Sequence, residues 1–141
     1  MKKICVLVLC ILSLCCPSIQ AMDKDTMQDL IVGNYFLIGK SIGNKNTYYG
    51  EVTIENTDSG LQVTRTINGN SIKAKATIEQ TTGDKVLVLR IRFTENKIHH
   101  EANCLINSDL DNYARLTCHL YWSSTNTTDP GLEALFIKHS L

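Results

Sequence analysis

From residue 33 onward, apolar and polar side chains alternate, and the alternation breaks at short intervals. Eight segments carry it: 35–39, 48–55, 61–67, 71–80, 85–93, 97–106, 113–122 and 132–138. They are rich in Val, Ile, Thr and Tyr, which suit a half-buried pleated surface, and a period of two marks a strand. The breaks hold Ile42-Gly43-Asn44, Asp58-Ser59-Gly60, Asn68-Gly69-Asn70, Thr82-Gly83-Asp84, Glu95-Asn96 and Asp129-Pro130-Gly131. Glycine and asparagine accept the positive φ that tight hairpin turns need. Ahead of the first strand, residues 23–31 place Met27, Leu30 and Ile31 on one side of one or two helical turns; no long helical period follows. The pattern predicts an all-β domain whose short connections make consecutive strands antiparallel neighbours. Eight such strands suit a single up-and-down barrel, because closure removes exposed edges; a β-sandwich is the alternative.

One hairpin can be registered from the sequence. If Cys104 faces Cys118, then Ile106 faces Leu116, Ala102 faces Leu120 and His100 faces Trp122. That register puts Ile98, His100, Ala102, Cys104, Ile106, Leu116, Cys118, Leu120 and Trp122 on one surface. The other surface carries His99, Glu101, Asn103, Arg115, Thr117, His119 and Tyr121. A half-buried hairpin sorts its side chains in this way.

The first 21 residues follow a different rule. Met1-Lys2-Lys3 is basic, residues 4–16 are uncharged and mostly apolar, Pro17-Ser18 breaks the run, and Ile19-Gln20-Ala21 ends on a small residue. This is the layout of a secretory signal peptide, and the apolar run is too short for a membrane span. Residues 22–141 are then the single mature domain, with no membrane span after cleavage. The basic start and short apolar core suggest a bacterial protein bound for the periplasm or the medium. Lipidation at Cys15 or Cys16 is disfavoured, because Leu14 and Cys15 precede them where a small residue is wanted. Removing 1–21 takes away four of the six cysteines, leaving Cys104 and Cys118. In an exported chain these predict one disulfide, worth about 3 kcal/mol for a loop of this length.

Composition narrows the function. The 14 basic side chains balance the 14 acidic ones; losing Lys2 and Lys3 takes the mature domain to −2. Neither figure has the basic excess of a nucleic-acid binder. With 43% hydrophobic and 20% charged residues, the chain has material for a core. For catalysis there is no Gly-x-Ser-x-Gly elbow, phosphate-binding glycine loop or His-Glu-x-x-His, and a disulfide removes the thiol nucleophile. The expectation is a non-enzyme without a cofactor.

Gly33-Asn34-Tyr35 opens the first strand after a short helical turn. With eight antiparallel strands to follow, the chain resembles the calycins, the barrel group of lipocalins and avidins. Lipocalins open their first strand with Gly-x-Trp, and Tyr35 stands in the tryptophan position. Like avidins, the chain has no C-terminal helix after the last strand. It departs from avidins in having Trp122 alone, so biotin is not implied; Asp111-Asn112-Tyr113 is at most a distant echo of the lipocalin Thr-Asp-Tyr. The resemblance implies a barrel that holds a small molecule or presents loops to a protein.

Candidate site residues follow from the inward face. Arg65 shares a face with Leu61, Val63 and Ile67; if that face points into a barrel, it is a buried cation in need of a carboxylate, from a ligand or from the protein itself, unless a local bulge turns it outward. Lys138, beside Ala134 and Phe136, raises the same question near a strand end. Tyr48 shares a face with Val52 and Ile54, and His100 sits opposite Trp122. Arg65, Tyr48, His100 and Trp122 are therefore the expected ligand-binding set, in an apolar wall with few polar groups. His99 and His100 point to opposite faces of a strand, and Glu101 with His119 makes only two ligands on a polar face, so no metal site is expected. The functional expectation is an exported barrel holding a small apolar or amphipathic molecule in its lumen. The alternative is a protein-binding module, an inhibitor, immunity-type or host-interaction factor, acting through loops 40–47, 107–113 and 123–131.

Overall fold

The computed structural model describes residues 23–106 and 114–139. The expected signal peptide, with Cys15 and Cys16, the 107–113 loop and the Asp111-Asn112-Tyr113 tripeptide lie outside the described residues. The chain enters through a capped helix. The Asp23 carboxylate accepts the Thr26 N–H at 2.8 Å, satisfying one of the amides that a helix start leaves unpaired. Helix α1 (Lys24–Ile31) ends where Val32 returns to extended backbone. Ile31 is fully buried and Met27 packs on the core; Tyr35 donates its hydroxyl to the Ile31 carbonyl at 2.7 Å. Burial pushes the Tyr35 phenol up to about 12, so it stays a donor.

Eight strands follow: β1 (Gly33–Lys40), β2 (Thr47–Thr57), β3 (Gly60–Ile67), β4 (Asn70–Gln80), β5 (Leu87–Glu95), β6 (Ile98–Ile106), β7 (Ala114–Trp122) and β8 (Gly131–Ile137). Each pairs antiparallel with the next, and β8 pairs back onto β1, which closes the barrel. The sheet is thus one closed surface, and the sandwich arrangement is set aside. No helix among the described residues is long and apolar enough to cross a membrane.

The turn chemistry acts as expected between β3 and β4, where Asn68 and Gly69 take φ of 51° and 80°. Between β5 and β6, Asn96 and Lys97 take the same left-handed region, at 50° and 65°. Strand β5 starts two residues later than the sequence pattern suggests. Lys85 has φ 55° and belongs to a turn closed by Thr81 N–H to the Val86 carbonyl at 2.9 Å, so β5 begins at Leu87.

The β6–β7 register is the one the cysteines implied: Cys104 pairs with Cys118, Ile106 with Leu116, Ala102 with Leu120 and His100 with Trp122. The disulfide Cys104–Cys118 is formed and faces the interior, both residues buried. Ile98, on the same face, lies at the rim and is exposed. The middle of the barrel is filled by Tyr35, Leu37, Val52, Ile54, Val63, Leu89, Ile91, Leu116 and Leu135 around this bond.

On β8 the inward face is the opposite of the one that Ala134, Phe136 and Lys138 suggested. Glu133 and Leu135 are buried, and Ile137 packs on the core. Lys138 is therefore not an interior cation. Its ammonium pairs with Glu51 at 2.6 Å and lies 4.5 Å from the centre of the Phe36 ring on the outer face.

The two barrel ends are unlike. Helix α1 packs at the end where β1 begins, held also by Gln28 Nε2 donating to Asn56 Oδ1 at 2.9 Å. The β6–β7 connection leaves from this end as well, after Ile106 and before Ala114. Ile106 and Ala114 are thus at the opposite end from 40–47 and 123–131. The other end, where β1, β3, β5 and β7 finish, is the mouth.

Candidate functional site

Arg65, placed inward by the alternation of β3, is 2% exposed, and its charge is met from across the barrel by Glu133 of β8, which is 3% exposed. The pairing is bidentate. Arg65 Nη1 donates to Glu133 Oε2 at 2.8 Å and Nη2 to Oε1 at 2.5 Å. A planar fork on a carboxylate is the geometry that makes a buried charge pair tolerable. The partner is the protein's own carboxylate, so both terminal guanidinium nitrogens are already engaged. Arg65 Nε has no partner.

Tyr48 of β2 completes the group, its hydroxyl donating to Glu133 Oε1 at 2.5 Å. Burial and the adjacent carboxylate both push the Tyr48 phenol far up, so it acts as a neutral donor. To reach β8 the ring must cross β1, and it does so over Gly39. Gly39 is the direct cross-strand partner of both Tyr48 and Glu133. A Cβ at Gly39 would overlap the Tyr48 ring. Gly39→Ala is therefore expected to displace Tyr48 and lower stability by about 1–3 kcal/mol, the usual cost of overpacking. Urea denaturation would measure it, and Tyr48→Phe in the Gly39→Ala background would show no recovery, since it keeps the ring.

Burial opposes both charges of the pair, and their mutual attraction outweighs it. The Glu133 carboxyl, raised by burial, is brought below its ordinary value by the Arg65 charge and by hydrogen bonds from Arg65 and Tyr48. Arg65, lowered by burial, is raised overall by Glu133.

Above this floor the aromatic side chains stack. The Arg65 guanidinium carbon lies 4.4 Å from the centre of the Phe93 ring, and Phe93 stacks on His100 with centroids 5.1 Å apart and planes 8° from parallel. His100 Nδ1 lies 3.0 Å from the Ile98 carbonyl oxygen. A carbonyl only accepts, so Nδ1 carries the proton and Nε2 keeps its lone pair. Burial lowers the His100 pKa, more than the Ile98 carbonyl and the nearby Glu95 raise it, so the ring is neutral at neutral pH.

A cavity of about 350 Å³ opens over these groups at the mouth. Tyr48, Arg65, His100 and Trp122 all line it, together with Ser41, Ile42, Ile67, Asn68, Glu95 and Leu120. The four residues expected from the sequence therefore meet in one cup. Sequence reasoning missed Glu133, Phe93 and Glu95. The need of Arg65 for a carboxylate was the signal for Glu133, but Leu132-Glu133-Ala134 did not disclose which face it took. The rim is braced by the Lys40–Asp129 ion pair at 3.0 Å and by Gly43 N–H donating to the Asp129 carbonyl at 3.0 Å.

The other charged side chains are arranged on the outer surface. Glu79, Arg90, Glu101 and Arg92 form a ladder of ion pairs across β4, β5 and β6, with Arg92 at 3.1 Å from Glu79 and 3.0 Å from Glu101. Glu101 is thereby held toward the arginines, and His99 toward Thr94 Oγ1 at 2.9 Å. Among the described residues, no three His, Cys, Asp or Glu side chains converge as metal ligands would. Compared with protein-family models and with curated proteins, the chain matches none.

Proposed function

We propose that this protein is an exported, calycin-like bacterial barrel that binds a small amphipathic molecule in the cup at its mouth. The observation that carries the reading is the cup itself: about 350 Å³, with Ile42, Ile67, Leu120 and Trp122 as apolar walls and Ser41, Tyr48, Arg65, Asn68, Glu95 and His100 as polar ones. Small-molecule sites have this size, and polar groups converging beside an apolar wall fix a ligand's orientation. The core below is filled, so the ligand occupies the mouth only, with its apolar body on Trp122 and Leu120 and its polar end toward His100 and Glu95. Orientation comes from groups that are already fixed: the His100 tautomer by the Ile98 carbonyl, and the floor by the Arg65–Glu133–Tyr48 group. Preorganised contacts of this kind reduce the ordering cost of binding.

Native mass spectrometry of the mature protein, taken from its export compartment, tests the reading. A discrete adduct that is lost on denaturation, and lost also from Trp122→Ala, is the expected result. An adduct that Trp122→Ala retains would remove the cup as its site. A bare mass, with no cup resonance moved by a small-fragment library in NMR, would overturn small-molecule binding. The braced rim formed by 40–47 and 123–131 favours the second reading, a partner protein gripping the mouth, and a pull-down from the same compartment would then be the informative step.

A further inference from the structure

Resting on that reading, we infer that the ligand is a small organic cation, an amine carried on an aromatic or branched apolar body. The inference follows from which polar groups of the cup are already in use. Among the described residues Arg65 is the one cation lining the cup, and Glu133 engages both of its terminal nitrogens. Among the described residues no unpaired positive charge remains at the floor to anchor a carboxylate or phosphate. The guanidinium charge is moreover balanced at close range, so it does not set the sign of the cup.

Besides the unpartnered Arg65 Nε and the side chains of Ser41 and Asn68, the groups left over include two acceptors. The Glu95 side chain, part-buried at the end of β5, lines the cup near His100 and makes no ion pair or hydrogen bond among the described residues. His100 offers Nε2 with its lone pair, since Nδ1–H is held by the Ile98 carbonyl. An ionised carboxylate and a bare imidazole nitrogen accept hydrogen bonds and have none to donate, so the occupant must bring the donors. An ammonium brings three, with a charge opposite to that of Glu95. Trp122 supplies the aromatic wall that receives either the apolar body or the cation itself. At about 350 Å³ the cup admits a ring with a short side arm and excludes long-chain lipids.

The chain contains a single tryptophan, and it stands in the cup wall, so Trp122 fluorescence excited beyond phenyl absorption reports occupancy. Phenethylamine, 2-phenylethanol and phenylacetate present nearly the same body with positive, zero and negative charge at neutral pH. The ammonium is expected to bind about tenfold tighter than the alcohol, and phenylacetate weakest, the order set by one charge-assisted contact at a part-exposed site. Glu95→Gln, near a strand end, should remove that tenfold preference, so that phenethylamine binds the variant no tighter than 2-phenylethanol does. Equal binding of the three, phenylacetate binding tightest, or full retention of the preference in Glu95→Gln would overturn the inference with the cup reading intact. If no probe perturbs Trp122 or any cup resonance in NMR, the cup reading falls, and this inference with it.

Discussion

Arg65→Met is expected to destabilise the protein by about 3–5 kcal/mol, a loss comparable to much of the stability of an ordinary domain. The cost does not come from the attraction lost. It comes from Glu133, which would remain buried with only Tyr48 to hydrogen-bond it. Glu133→Leu is expected to cost a similar amount, because it strands the guanidinium among Phe93, Tyr48 and the apolar core. The double variant Arg65→Met/Glu133→Leu removes both charges and should recover most of the loss, since a well-packed apolar pair often equals or exceeds a buried ion pair. Urea denaturation followed by Trp122 fluorescence and far-UV circular dichroism gives all three values. Single variants that lose less than about 1 kcal/mol, as a surface pair would, contradict the buried pairing.

The same pair ties stability to acid. Glu133 has a folded-state pKa below its ordinary value of 4.5. Between that value and 4.5 the unfolded chain binds the proton and the folded protein does not. Its contribution is therefore fully present above 4.5 and is lost as the pH falls through the folded value. Glu133→Gln removes this group's share, so its stability should fall less steeply below pH 4.5 than that of the wild type.

The parts of the barrel that were legible in the sequence are those where one strand face is apolar and the other polar. In 98–122 that sorting, with two cysteines to anchor it, admits a single register, and every pair deduced from it is present. In β8 both faces are apolar: Leu132, Ala134 and Phe136 look outward, while Leu135 and Ile137 look inward. Alternation cannot then choose between the faces. What chooses is a contact with β3, 68 residues away in sequence, because Arg65 must have a carboxylate in the interior. Arg65, Tyr48, His100 and Trp122 were visible as residues on inward faces, and the closed barrel carries them to one end. The passage of Tyr48 over Gly39 was not legible, because it depends on the β1–β2 and β1–β8 registers together. Without that passage the floor of the cup reads as an arginine free to receive a ligand. With it, the floor is a completed ion pair.

Cys104→Ala/Cys118→Ala is the second large effect expected. The bond spans a sequence separation of 14 and links directly paired residues of β6 and β7. Closing a loop of about 15 residues in the unfolded chain is worth about 3 kcal/mol, and the bond's removal should lower stability by that order. The fold itself should persist, because the hairpin register is specified independently by Ala102 against Leu120 and Ile106 against Leu116. The variant is therefore expected to keep its β-sheet circular dichroism and to show a lower urea midpoint with a two-state transition. Reduction of the wild type should shift its midpoint in the same direction, and should leave the double alanine variant unchanged. Thiol titration of denatured, unreduced mature protein is expected to find no free thiol. Two free thiols there would show that the bond does not form in the environment where the protein resides, and that the interior of the barrel is held by packing and by the Arg65–Glu133 pair alone.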